Sequence, residues 1–144
     1  MKLEFIPAES ADAGIIFSQL KALIDAYEDL SSINYEKVLA WRRRQIEENI
    51  GLYTCVLSDG EKVGWYCLSP SDDGRTELDN FYVLPEYRGR GIGTAVLNRC
   101  IESAGRPVFL YCFTQNTRAL ALYKRMGFRE TETVGTTRCI LQRD

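Results

Sequence analysis

Three groups of residues in this chain have types and spacings that could do chemistry. The first is Tyr87-Arg88-Gly89-Arg90-Gly91-Ile92-Gly93-Thr94, with three glycines in five residues and two arginines. Glycines let a backbone approach a ligand closely and adopt positive φ. A helix that begins directly after them aims unpaired N–H groups and a positive dipole end at the same spot, which makes a cradle for phosphate. The second group is Glu77 and Asp79, two carboxylates two residues apart in an alternating segment. In apolar surroundings such groups gain pKa values suited to accepting a proton. The third is Asn116 with Tyr123, seven apart, so that one helix face presents an amide and a phenol.

The glycine segment fails two familiar phosphate patterns. G-x-G-x-x-G counted from Gly89 meets Thr94, and counted from Gly91 it meets Val96; no G-x-x-x-x-G-K-[ST] is present. It does satisfy [QR]-x-x-G-x-[GA] as Arg88-x-x-Gly91-x-Gly93. A pattern that short arises by chance in roughly one chain in ten to one in five of this size.

Positioning these groups requires a particular order of elements. Lys2 to Ile6 alternates and reads as a first strand closed by Pro7. Ser10 is a candidate N-cap for a helix to about Leu30, with Ile16, Leu20, Leu23, Ile24, Tyr27 and Leu30 on one face. A second helix follows Asn34 and carries Val38, Trp41, Ile46 and Ile50. The period then drops to two: Leu52 to Leu57, the turn Ser58-Asp59-Gly60, and Val63 to Leu68 predict a hairpin. Thr76 to Leu84 predicts a strand, with Glu77, Asp79, Phe81 and Val83 on one face. Gly91 to Ser103 predicts a helix. Val108 to Phe113, apolar at every position, predicts a strand in the sheet centre, covered on both faces. A short helix over Asn116 to Met126 and strands over Phe128 to Thr133 and Thr137 to Gln142 complete the order β-α-α-β-β-β-α-β-α-β-β. That order predicts one α/β domain over residues 1–144, with a mixed sheet flanked by helices.

Composition removes several kinds of chemistry. The chain has 144 residues, 45% hydrophobic and 26% charged, and a formal charge of −2, which argues against nucleic acid as a partner. A chain this long buries about 68% of its unfolded surface and needs neither disulfide nor metal to hold a core. There is no histidine, so a Ser-His-Asp triad, a Cys-His dyad and a His-ligated metal are all excluded. The five cysteines form no CxxC pair and read as small buried hydrophobes in a reducing, cytoplasmic setting. No apolar run is long enough for a bilayer, so no membrane role is expected.

The stretches ELDNFYVLPEYRGRGIGTAVL and LYCFTQNTRALALYKRMGF, in that order and at that separation, resemble the GNAT superfamily of acyl-CoA N-acyltransferases. The resemblance implies a mostly antiparallel mixed sheet, acetyl-CoA as co-substrate without a metal, and an amine acceptor that is a small molecule or peptide. It implies members that often dimerise. It also implies that the strand at Phe81, Tyr82 and Val83 bears a bulge, splays from its neighbour and pairs with pantetheine. The amides of Arg88, Gly89, Arg90, Gly91, Ile92, Gly93 and Thr94 would hold the pyrophosphate, and Asn116 the pantetheine arm. Tyr123 matches the tyrosine that protonates the departing sulfur; a phenol with a pKa near about 10 suits that task. Glu77 matches the glutamate base of the histone-acetyltransferase branch, with Asp79 second.

A base or a desolvating pocket is needed, because an amine with pKa about 10.4 is neutral only about once in 2,500 molecules at pH 7. The first two helices would line the acceptor site with Tyr27, Glu28 and Tyr35, and Trp41 nearby; acidic and aromatic groups suit a cationic amine. Arg42-Arg43-Arg44 reads as a solvated helix face. A noncatalytic acyl-CoA-binding regulatory module shares the cradle and stays open as the alternative.

Overall fold

In the computed structural model, which describes residues 1–144, the elements are β1 (Leu3–Pro7), α1 (Ala13–Tyr27), α2 (Tyr35–Glu48), β2 (Tyr53–Ser58), β3 (Glu61–Pro70), β4 (Thr76–Val83), α3 (Ile92–Ala104), β5 (Val108–Phe113), α4 (Thr117–Arg125), β6 (Arg129–Val134) and β7 (Arg138–Arg143). Their order is the one the periodicities predict. No helix is long and apolar enough to cross a membrane.

The first helix is shorter at both ends than its apolar pattern suggests. Residues Ser10–Asp12 form a 3-10 turn in which Glu9, not Ser10, is the cap, and Glu9 and Asp12 close a capping box. At the other end the Asp29 carboxylate accepts the Ser31 N–H and starts a separate turn, Leu30–Ser32, so Leu30 leaves the helix. Asn34 caps α2 as expected, its side chain accepting the Lys37 N–H at 3.2 Å. Asp12 itself is 3% exposed and receives the Lys62 ammonium at 2.8 Å, which ties the start of α1 to the β2–β3 hairpin.

The seven strands run in the order β1-β2-β3-β4-β5-β7-β6. All neighbours are antiparallel except β4 and β5, which α3 connects as a parallel crossover. On one face α3 and α4 cover Val56, Val63, Leu78, Leu110, Cys112 and Leu141. On the other, α1 and α2 cover Cys55, Trp65 and Cys67 through Ala13, Ile16 and Ile46.

Two features of β4 decide where chemistry can occur. Trp65 pairs with Tyr82 and Cys67 with Asp79, so Tyr66 alone faces both Asn80 and Phe81: β4 carries a bulge. Asn80 sits there at φ +51°, a left-handed conformation that Asn tolerates better than most residues. Gly64 is required beside it, since a Cβ there would lie 2.5 Å from the Tyr82 carbonyl oxygen. The bulge also corrects the expected facing of this strand. Simple alternation places Glu77, Asp79, Phe81 and Val83 together, but the extra residue reverses the phase. Leu78, Phe81 and Val83 pack with α3, while Asp79 turns to Arg42 on α2.

The second feature is that β4 pairs with β5 only at Thr76↔Val108 and Glu77↔Phe109, after which the strands part. The cover expected on both faces of β5 is therefore incomplete. Val108, Leu110 and Cys112 are buried, as is Phe109 on the opposite face, yet Tyr111 two residues further on is 45% exposed.

Candidate active site

Beyond Glu77 the divergence of β4 and β5 opens a cavity of about 900 Å³, bounded by the glycine turn, α3 and α4 on one side and by α1 and α2 on the other. The two sides are built differently.

The glycine turn forms the first side. Gly89 and Gly91 take φ +78° and +81°, and a Cβ at either would meet nothing within 4 Å, so the turn presents open backbone. Gly91 is the N-cap of α3 and supplies no side chain to its first amides, which stay available to an anion. The turn is pinned from behind by the Tyr87 hydroxyl, which donates to the Glu61 carboxylate at the β2–β3 hairpin. Arg88 donates its Nε to the Val83 carbonyl at 3.0 Å and lies over Tyr82, so that guanidinium is partly committed to the strand. Arg88, Gly89, Gly91, Gly93 and Thr94 line the cavity, as do Phe81, Tyr82 and Val83. Arg90 stacks on Tyr87 outside it, and the Ile92 side chain is in the core, leaving only its amide for a ligand.

Asn116 and Tyr123 reach the gap from α4. The Asn116 side-chain oxygen caps the helix through Ala119 N–H, which leaves its amide N–H₂ free. Tyr123 is 8% exposed, packed against Phe128 and Phe81, and its hydroxyl has no partner in the protein. Burial pushes its phenol well above the ordinary tyrosine value, with the neighbouring Cys112 adding to the effect. Tyr123 therefore keeps its proton at every physiological pH. Burial thus moves the phenol above the value of about 10 expected for an ordinary tyrosine.

Side chains make the second side. Glu77 is half-buried and has no hydrogen-bond or ionic partner; burial, and then the charge of Asp79, raise its pKa above the usual carboxylate range. Asp79 receives the Asn80 amide at 2.9 Å and lies 3.7 Å from Arg42. Arg42 is held by the Gln45 side chain at 3.1 Å and faces inward, which corrects the reading of residues 42–44 as a solvated run. Arg43 and Arg44 are exposed as expected, Arg43 paired with Glu47 at the surface. Leu20, Leu23, Ile24, Ile33, Val38 and Trp41 form an apolar wall.

Residues 20–128 match the Acetyltransferase (GNAT) family. The chain belongs to that family. An uncharacterized N-acetyltransferase from Methanocaldococcus jannaschii is 32% identical over 131 residues, which cover 80% of this chain and 57% of that protein. The spermine/spermidine N(1)-acetyltransferase of Bacillus subtilis is 33% identical over 92 residues, 56% of this chain and 58% of its own. The chain thus spans little more than half the length of these curated relatives. In fold it is similar to the PaiA N-acetyltransferase of Thermoplasma acidophilum, crystallised with coenzyme A: TM-score 0.75, 19% identity, with 100% of this chain and 99% of that chain covered.

Against this GNAT frame, the acceptor residues expected from the sequence fall in different places. Glu28 lines the cavity, its carboxylate accepting the Thr137 hydroxyl at 2.6 Å. Tyr27 packs on Phe113 instead of lining the cavity, and Tyr35 donates to Asp25 at 2.6 Å on the outer surface. Also on the cavity are Asn80, Tyr111, Arg118, Arg125 and Arg138, to which sequence reasoning gave no role, and Arg42, which it read as solvated. Only Asn80 left a trace, as one of two turn-forming residues, Asp79-Asn80, inside a strand.

Proposed function

We propose that this chain is an acyltransferase that uses acetyl-CoA as co-substrate and acetylates a primary amine of a small molecule or peptide by direct transfer. One observation carries the reading. An anion cradle with no side chain in it, an unpartnered phenol and an unpartnered carboxylate all open on the gap between two parted strands.

Acetyl-CoA supplies an acyl group activated as a thioester. The turn amides of residues 88–94 hold its diphosphate, and the unpaired edge of β4 at Phe81 to Val83 lies alongside its pantetheine arm. Amide N–H groups of that edge polarise the thioester carbonyl. Glu77 removes a proton from the acceptor ammonium, with Asp79 second in line, and Tyr123 donates its proton to the sulfur. The cysteines fit no acyl-enzyme route: all five are buried, and burial holds Cys67, Cys100 and Cys112 near about 12, mostly as thiols.

Thiol release from acetyl-CoA across an amine panel tests the proposal. Wild type is expected to release thiol, and Tyr123→Phe to lose about 10²-fold or more in kcat while still binding coenzyme A. Coenzyme binding without release for any amine, together with an inert Tyr123→Phe change, would point to a noncatalytic acyl-CoA-binding module; an unimpaired Tyr123→Phe in a chain that releases thiol would remove Tyr123 as the acid.

A further inference from the structure

The acceptor side of the cavity has a charge pattern that selects among amines. Three carboxylates and two guanidiniums line it: Glu28, Glu77, Asp79, Arg42 and Arg138. Most are already engaged. Asp79 shares its charge with Arg42. Glu28 is tied to the Thr137 hydroxyl and the Asp29 amide. Glu77 has no partner at all, while Glu28 keeps its charge because both of its donors are neutral. On this side Arg138 is the uncommitted cation, while Arg118 and Arg125, also without ion pairs, line the cavity from α4. Arg138 makes no ion pair or hydrogen bond, is half-buried, and rests over the exposed ring of Tyr111 at 5.7 Å.

The register fixes how Glu77 and Arg138 are related. Glu77 is level with Phe109 on β5, and Arg138 on β7 is level with Phe113, its guanidinium reaching back over Tyr111. Phe109, Tyr111 and Phe113 alternate onto one face of β5, so both groups border the cavity from that face. The third element is the apolar wall of Leu20, Leu23, Ile24, Ile33, Val38 and Trp41, the last 53% exposed with the Arg42 guanidinium 5.9 Å from its ring centroid.

We infer that the acceptor is a monoamine that also carries a carboxylate and an apolar body: the chemistry of a hydrophobic amino acid. Glu77 receives the ammonium, Arg138 the carboxylate, and the wall from Leu20 to Trp41 the side chain. A polyamine, the substrate class named for the Bacillus subtilis relative, meets an apolar wall and a facing guanidinium. The inference rests on the N-acetyltransferase reading and narrows it.

Matched acceptors separate the two. With acetyl-CoA saturating, thiol release is measured for L-phenylalanine, for 2-phenylethylamine (the same amine and ring without the carboxylate), for glycine and for spermidine. The expected order in kcat/KM places L-phenylalanine at least tenfold above each of the others. Arg138→Gln should cut the L-phenylalanine to 2-phenylethylamine ratio at least tenfold, and Trp41→Ala should cut the L-phenylalanine to glycine ratio. Spermidine used as well as L-phenylalanine, or an unchanged phenylalanine to phenylethylamine ratio in Arg138→Gln, overturns the acceptor assignment alone. No release with any amine, together with no thermal shift by coenzyme A, overturns the N-acetyltransferase reading and this inference with it.

Discussion

The two sides of the cavity solve their binding problems with different materials. The cradle is backbone: left-handed glycines and the open N-terminus of α3, where the useful groups are N–H donors that every residue type carries. The acceptor side is made of side chains from α1, α2, β4, β5 and β7, distant in sequence and brought together by the sheet. The cradle should therefore tolerate loss of its charged side chains but not gain of a Cβ. The acceptor side should show the reverse sensitivity.

The largest expected effect is at Gly91. Gly91→Val forces a β-branched residue to φ +81° and puts a side chain into the cradle, so acetyl-CoA affinity should fall by 10²-fold or more in a calorimetric titration. Glu77→Gln comes next, with kcat/KM lowered about 10²-fold and coenzyme affinity retained. Because burial and Asp79 raise the Glu77 pKa, kcat/KM of wild type should climb with pH on a limb lying above the ordinary carboxylate range. That limb should vanish in Glu77→Gln.

Smaller effects test the bulge that divides the two sides. Asn80 donates to the buried Tyr53 hydroxyl at 2.6 Å, and this bond holds the left-handed residue in place. Tyr53→Phe and Asn80→Gly should each lower kcat about tenfold, and the double variant should lose no more than either, as for two ends of one contact. A wild-type Asn80→Gly would mean that only the backbone angle matters.

Arg90→Gln is expected to change acetyl-CoA affinity less than about threefold, since Arg90 stacks outside the cavity.

Stability should depend on a different pair and leave both sides of the cavity alone. Burial alone would raise the Asp12 pKa, but the Glu9 amide and the Lys62 ammonium outweigh it and hold the group below its ordinary value. The stabilisation is thus present above the unfolded carboxylate pKa and is lost as pH falls through the lower folded value. Lys62 is partly solvated, so Asp12→Asn should cost only about 1–2 kcal/mol at pH 7, with the difference in Tm closing in acid.

Much of the cradle side was readable before any fold was known. Glycines at 89, 91 and 93 ahead of a helical pattern, and an amide and phenol seven apart, are local signals with local causes. Less of the acceptor side was readable. Tyr35 and Arg42 lie seven apart on one face of α2, yet Tyr35 meets Asp25 of α1 and Arg42, two turns on, meets Asp79 of β4. What each one meets depends on how α2 lies across α1 and the sheet. The apolar run of β5 likewise indicated a covered strand, but Tyr111 is open because its neighbour β4 bends away.

By itself, then, the sequence determined the order of elements, the glycine turn and the helix that follows it, because periodicity and conformational preference act within a few residues of one another. Tertiary structure alone decided that Glu77 and Asp79 face away from Phe81 and Val83, and that Arg138 and Trp41 share a cavity with them. A single extra residue in a strand reverses every side chain beyond it, and long-range pairing decides where that residue goes.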